Sequence, residues 1–270
     1  MSNNMKIVFP IPRITESFID KAVEKIAGRR LNESEKSEGI QNADYILPGA
    51  VAELKIFEEE GLEKESRQNK IKKFLSNRYV LPKEVEIDIR TIPEEIKPEF
   101  RQILGGPIQT AVKKAAKQIK GTKALLKKNL DLGILIAVNN GYGSLPDNEF
   151  EKLVLLYARK DTSQIDFVIC STVDHHQGDF DTYVFISSHC YPVAEGLQYP
   201  KSDDFVQAVN ELFGEAMTYM MQNQMDPKLW DNNLPPISDI LFEGEGVTYI
   251  RSAPDVPDSR FTKQNTEQRH

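Results

Sequence analysis

"ADYILPGAVAELKIF", residues 43–57, is the stretch on which the reading of the whole chain turns. Pro48-Gly49 is a strong turn signal between two short apolar runs, so the stretch reads as strand, tight turn and strand. Glu53 and Lys55 interrupt the second run. Side chains two apart on a strand share a face, so a carboxylate and an ammonium point the same way. Asp44 opens the first run. Three ionisable groups therefore sit in a hairpin whose remaining residues favour burial.

Upstream of the hairpin, residues 14–29 have helical apolar spacing at Phe18, Ile19, Ala22, Val23 and Ile26, with Thr15 as N-cap. Downstream, residues 58–80 are highly charged and helix-compatible, and read as an inserted helical arm. "VEIDIRTI", 85–92, alternates as a half-exposed strand. A helix is expected over 107–130, and "LGILIAVNN", 132–140, is short, apolar and strand-like. A helix from "SLPDNEFEKLVLLYARK", the strands "IDFVICST" and "TYVFISSH", and a late helix over 203–224 come next. The order predicts an α/β fold with a mixed central sheet flanked by helices. We expect one domain over 1–250, with its core at 14–190 and a helical extension at 192–250. Residues 251–270, polar and proline-containing, read as a disordered tail.

The chain has 270 residues, 40% hydrophobic and 28% charged, with a net charge of −7. That acidity argues against nucleic-acid binding through the whole surface but not through a local basic groove. No apolar run reaches the ~18 residues of a membrane span, so no membrane partner is expected. The start lacks the pattern of a secretory signal, and Cys170 and Cys190 lack metal-type spacing. A cytoplasmic protein with two reduced thiols is the expectation.

An antiparallel hairpin carrying Asp…Glu-x-Lys resembles the active-site hairpin of the PD-(D/E)XK, or restriction-endonuclease-like, nuclease superfamily. The matching residues are Asp44, Glu53 and Lys55; Ala43 stands where the superfamily's name has proline. The order of elements over about 14–140 is similar too: a helix, the hairpin, a third strand, a helix and a further strand. The resemblance implies a restriction-endonuclease-like core and a Mg²⁺ or Mn²⁺ cofactor. It implies a metal held by Asp44, Glu53 and the Leu54 carbonyl, and a catalytic role for Lys55. Oxygen ligands suit such a hard cation, and a lysine beside it can position water or neutralise developing charge. The first helix often adds a fourth group in that superfamily, for which Glu24, beside the apolar stripe, is the candidate over Glu16.

Between 113 and 128 lie Lys113, Lys114, Lys117, Lys120, Lys123, Lys127 and Lys128, with no acid among them. Lys113, Lys117 and Lys120 form a stripe beside Val112, Ala116, Ile119 and Leu126, suited to tracking a phosphate backbone. Gln118 and Lys117 are the polar residues that the resembling folds would place near the site. "VDHHQGDFD", 173–181, reads as a polar hairpin loop and "NNGYGS", 139–144, as a turn. Trp230 carries no functional signal.

The leading expectation is a Mg²⁺-dependent deoxyribonuclease with DNA as partner. No sequence-reading module is visible, so a protein partner would supply specificity. The alternative is a catalytically inactive protein of the same fold, acting as a binding or assembly subunit in a defence or repair system. In a third reading, Asp44, Glu53 and Lys55 form a structural salt-bridge network in an unrelated α/β protein.

Overall fold

The computed structural model describes residues 10–32, 35, 42–58, 61–126, 130–140, 145–177, 182–223, 240–251 and 260–262. Its centre is a six-stranded sheet, built from the hairpin outward. In chain order come β1 (Pro10–Pro12), α1 (Glu16–Lys25), β2 (Arg29–Arg30), β3 (Tyr45–Leu47) and β4 (Ala50–Phe57). The arm and the segment after it give α2 (Glu65–Ser76), β5 (Glu84–Glu86), α3 (Lys97–Leu104), α4 (Gly106–Leu126) and β6 (Leu132–Asn139). The remainder is α5 (Asp147–Asp161), β7 (Phe167–Gln177), β8 (Thr182–Pro192), α6 (Ser202–Gln222), β9 (Ile240–Gly244), β10 (Val247–Arg251) and β11 (Arg260–Thr262).

The sheet order is β2-β3-β4-β6-β7-β8. β2, β3 and β4 are antiparallel, β6 and β7 run parallel to β4, and β8 returns antiparallel. Alternation along β4 sends Ala50, Ala52 and Leu54 to one face and Val51 to the other. α1 and α6 cover the first face with Phe18, Ile19, Val23, Phe205, Val209 and Phe213. α4 and α5 cover the second with Ile108, Val112, Ile119, Phe150, Leu153 and Val154. The mixed α/β architecture read from the sequence is the one found.

Thr15 caps α1 as expected, its hydroxyl accepting the N–H of Phe18 at 3.2 Å. Tyr45 is fully buried and ties α1 to the hairpin. Its hydroxyl donates to Asp20 at 2.8 Å and accepts from Arg30 at 3.1 Å, and the Arg30 guanidinium lies over its ring. At the far end of β6, Asn140 exchanges two hydrogen bonds with the backbone of Ile14, at 2.7 and 3.2 Å.

Several expectations need correction. The strand expected over 85–92 shrinks to Glu84–Glu86, because Asp88 accepts the N–H of Arg90 at 2.8 Å and turns the chain. β5 does not join the main sheet. It pairs in parallel with β10 in a separate sheet of order β5-β10-β9. The extension over 192–250 is therefore not simply helical: after α6 it supplies a hairpin that closes the core around Ile71, Phe74 and Leu75 of the arm. Within the tail, Arg260–Thr262 pair with Pro10–Pro12. The "VDHHQGDFD" segment is not all loop, since β7 continues through His175 and His176 to Gln177. The side chains of those two histidines, with Lys127, Lys128, residues 141–144 and Trp230, lie outside the described residues. Both cysteines are free, Cys170 buried and Cys190 half-buried. Burial pushes both thiols up, Cys190 to about 11. No helix among the described residues is long and apolar enough to cross a membrane.

Gly133 opens β6 where the loop before β7 crosses it. A Cβ there would lie 2.0 Å from the Gln164 carbonyl oxygen, backbone that cannot swing aside. We expect Gly133→Ala to lower stability by ~2 kcal/mol or more. Gly214→Ala, in the interior of α6 with open space around it, should instead add roughly 0.5–1 kcal/mol. Urea unfolding of the two variants checks both signs.

Candidate active site

The last rung of the β3–β4 ladder pairs Tyr45 with Ala52, so Asp44 and Glu53 stand one step beyond it, where the two strands part. Past that point β4 has β6 on one side and, among the described residues, no paired strand on the other. The Asp44 side chain fills the first position of that edge, its Oδ2 accepting the N–H of Leu54 at 2.9 Å. In an extended strand the N–H and C=O of one residue point to the same neighbour. The Leu54 carbonyl therefore faces the same edge as Asp44.

Glu53 and Lys55 project from the opposite face to Leu54, towards α4. Glu53 is 1% exposed, and one of its oxygens, Oε1, binds the Lys55 ammonium. The other, Oε2, is buried with no hydrogen-bond partner. Lys55, 17% exposed at its side chain, also donates to Oε1 of Gln118 at 3.0 Å. Gln118 in turn donates through Nε2 to the Asn42 carbonyl at 3.0 Å. Burial holds the Glu53 carboxyl up at about 8; the nearby Asp44 charge adds to the rise, Lys55 opposes both, and Asp44 adds further by accepting the proton that Glu53 retains.

The structure thus gathers Asp44, Glu53, Lys55, Gln118 and the Leu54 backbone at one point. It does not bring Glu24 there. Glu24 is exposed on α1, which covers the other face of the sheet; the apolar stripe beside it carries it away from the side on which Glu53 and Lys55 emerge.

The basic helix divides. Lys113, Lys117 and Lys120 are all exposed, but Lys113 lies on the flank facing α5 and pairs with Asp161 at 3.6 Å. Lys123, on that flank too, pairs with Asp166 at 3.5 Å. At 100° per residue, Lys120 falls on the same flank, and Lys117 points to solvent between the two. Lys114, one turn before Gln118 and exposed, shares the flank nearest the hairpin. It is the lysine of α4 that spacing places best for the site, ahead of Lys113 and Lys120. The sequence contained this signal, since 114 and 118 are four apart.

Among the described residues, no group of three or more His, Cys, Asp and Glu side chains is arranged to hold a metal ion. The donors at the hairpin are two carboxylates and a carbonyl. They fit a hard divalent cation in one specific respect: the orphaned, buried Oε2 of Glu53, beside a second carboxylate, lacks the positive partner that such an atom calls for. No family model, no curated protein and no solved structure matches the chain.

A raised folded-state pKa in an acid has a definite sign. Folding is favoured while Glu53 is protonated in both states, and that contribution is lost as pH rises from its ordinary value of 4.5 through about 8. Without added metal, the melting temperature should therefore fall between pH 5.5 and 8.5. At pH 8.5 Glu53→Gln should be more stable than the parent by ~2 kcal/mol, or roughly 4–8 °C. Equal pH slopes for the two proteins would rule this out.

Proposed function

We propose that this chain is a metal-dependent nuclease of the PD-(D/E)XK kind, hydrolysing phosphodiester bonds in DNA with Mg²⁺ or Mn²⁺. The observation that carries the reading is the buried, unpartnered Glu53 oxygen beside Asp44, with Lys55 on the same carboxylate. Element order supports it. A helix, an antiparallel hairpin bearing the acids, a later helix bearing Gln118 and a strand parallel to β4 follow in the order the resemblance implies, with α2, β5 and α3 set between the hairpin and α4. The third strand it calls for is not 85–92. β2, ahead of the hairpin, extends the antiparallel run instead.

Asp44, Glu53 and the Leu54 carbonyl would hold the cation. When bound, the ion would lend its charge to the phosphoryl oxygens and make water more acidic. The chain's own contributions are separable. Lys55 holds a cation's charge at the mouth of the buried pair, where it can orient a water or a phosphate oxygen. Gln118 fixes the Lys55 ammonium by accepting one of its three N–H bonds. Lys114 and Lys117 offer charge to the flanking backbone phosphates.

The second reading, a non-catalytic binding or assembly subunit of the same fold, draws on one observation: Lys55 is already engaged by both Glu53 and Gln118, as in a structural bridge. A partner protein would supply sequence selection in either case.

Lys55 discriminates the two. In the nuclease, Lys55→Ala abolishes cleavage of plasmid DNA and still gains melting temperature on addition of Mn²⁺, because the carboxylates remain. In a structural bridge, the same change leaves two acids together without a cation and lowers stability by ~3 kcal/mol, with no metal response to offset it. Binding should track the geometry of α4. Lys114→Gln with Lys117→Gln should reduce the slope of log affinity against log salt by about 1–2. Lys113→Gln with Lys120→Gln should change it less, and the reverse order would move the DNA path to the α5 side.

A further inference from the structure

The two residues before Asp44 are held in an unusual way. In a regular strand Ala43 and Tyr45 would share a face. Here Ala43 is buried in the core under α4 and α5, while Tyr45 is buried in the core under α1 and α6. The pleat breaks between them, at Asp44. What replaces the ladder is α4. The Ala43 N–H donates to the Thr122 hydroxyl at 2.7 Å, and the Asn42 carbonyl accepts from Gln118 at 3.0 Å. Gln118 and Thr122 are one helical turn apart, on one face. Thr122 is fully buried, in a helix interior where a β-branched hydroxyl residue is a mediocre choice. The broken pleat is what lets the Asp44 carboxylate lie along the edge of β4, against the Leu54 N–H. A continued pleat would project it from the face of the sheet.

We propose that Thr122 is a positioning residue of the site: by accepting from the Ala43 N–H it fixes the chain at Asp44, and so sets the affinity for a divalent cation that Thr122 itself never touches. The inference rests on the metal-site reading above. Gln118 performs the companion task for Asn42 and joins it to Lys55, so one helix face aligns both halves of the site. Metal ligands held by outer partners lose affinity when those partners are removed, typically 10–100-fold.

The test titrates Mn²⁺ into the 270-residue chain and monitors binding by calorimetry, with no cleavage required. Thr122→Val keeps the shape but removes the acceptor, and should weaken Mn²⁺ binding at least ~10-fold. Thr122→Ser keeps the acceptor and should stay within ~3-fold of the parent, rescue that a packing role would not give. Where valine prevents folding, Thr122→Ala reports the same loss. Asp44→Asn is the control for the site and should abolish binding. If the parent binds, Asp44→Asn does not, and both Thr122→Val and Thr122→Ala bind as the parent does, the inference is overturned while the metal site stands. Serine binding as weakly as valine overturns it too, because Thr122 then acts through its methyl group. A parent chain that does not bind Mn²⁺ overturns the metal-site reading, and the inference with it.

Discussion

A carboxylate sealed inside an α/β core sets the terms for everything around it. Glu53 belongs to a strand whose other residues are packed by helices on both faces, and it has one oxygen with no partner. An isolated charge in such a place is strongly disfavoured. The surroundings respond with the Lys55 ammonium and with retention of the proton, which the neighbouring Asp44 carboxylate favours. Glu53 stands where β3 stops and β4 continues. A polar cluster built against local stability is what a binding or reacting centre looks like in energetic terms.

The division of labour around the site comes from which elements are local in sequence. β3 and β4 are joined by a two-residue turn, so their register is fixed early and independently of the rest. Gln118 and Thr122 reach them from more than sixty residues away. They reach one point because α4 lies along β4 on the way to β6, and every fourth residue of a helix returns to the same line. A single long helix can therefore serve core packing, site alignment and charge display on three flanks. In α4 these are Ile108, Val112 and Ile119; Gln118 and Thr122; and Lys114 and Lys117.

The hairpin was legible because its signals are local: Pro-Gly for the turn, apolar runs for the strands, and a two-residue spacing that puts Glu53 and Lys55 on one face. The alternation even fixes which face, once α4 is known to cover Val51. The pairing of Lys113 with Asp161 was not legible, since it depends on how two helices pack. Nor was the exclusion of Glu24, because its helix spacing says which side of α1 is buried but not which side of the sheet α1 covers. α3 went unread although Pro98 in its first turn is a start signal. The strand over 85–92 misled because alternation continues past Asp88, while the backbone bends there to satisfy that side chain. Thr122 left only a faint trace, a hydroxyl in a helix otherwise rich in alanine and lysine.

The pairing of β5 with β10 bears on how the chain is made. Glu84 stands opposite Thr248 across the small sheet, so the arm and its covering hairpin are separated by most of the polypeptide. Phe242 and Tyr249 stack on one another and complete the core around Ile71, Phe74 and Leu75. As the chain leaves the ribosome, the six-stranded sheet has all its strands by Pro192, while α2, already able to pack on α3 through Phe74 and Phe100, still lacks the part of its core that Phe242 and Tyr249 complete. Contacts of such long range close slowly and leave greasy surface open in the interval. The arm thus reaches its final packing later than the six-stranded sheet does.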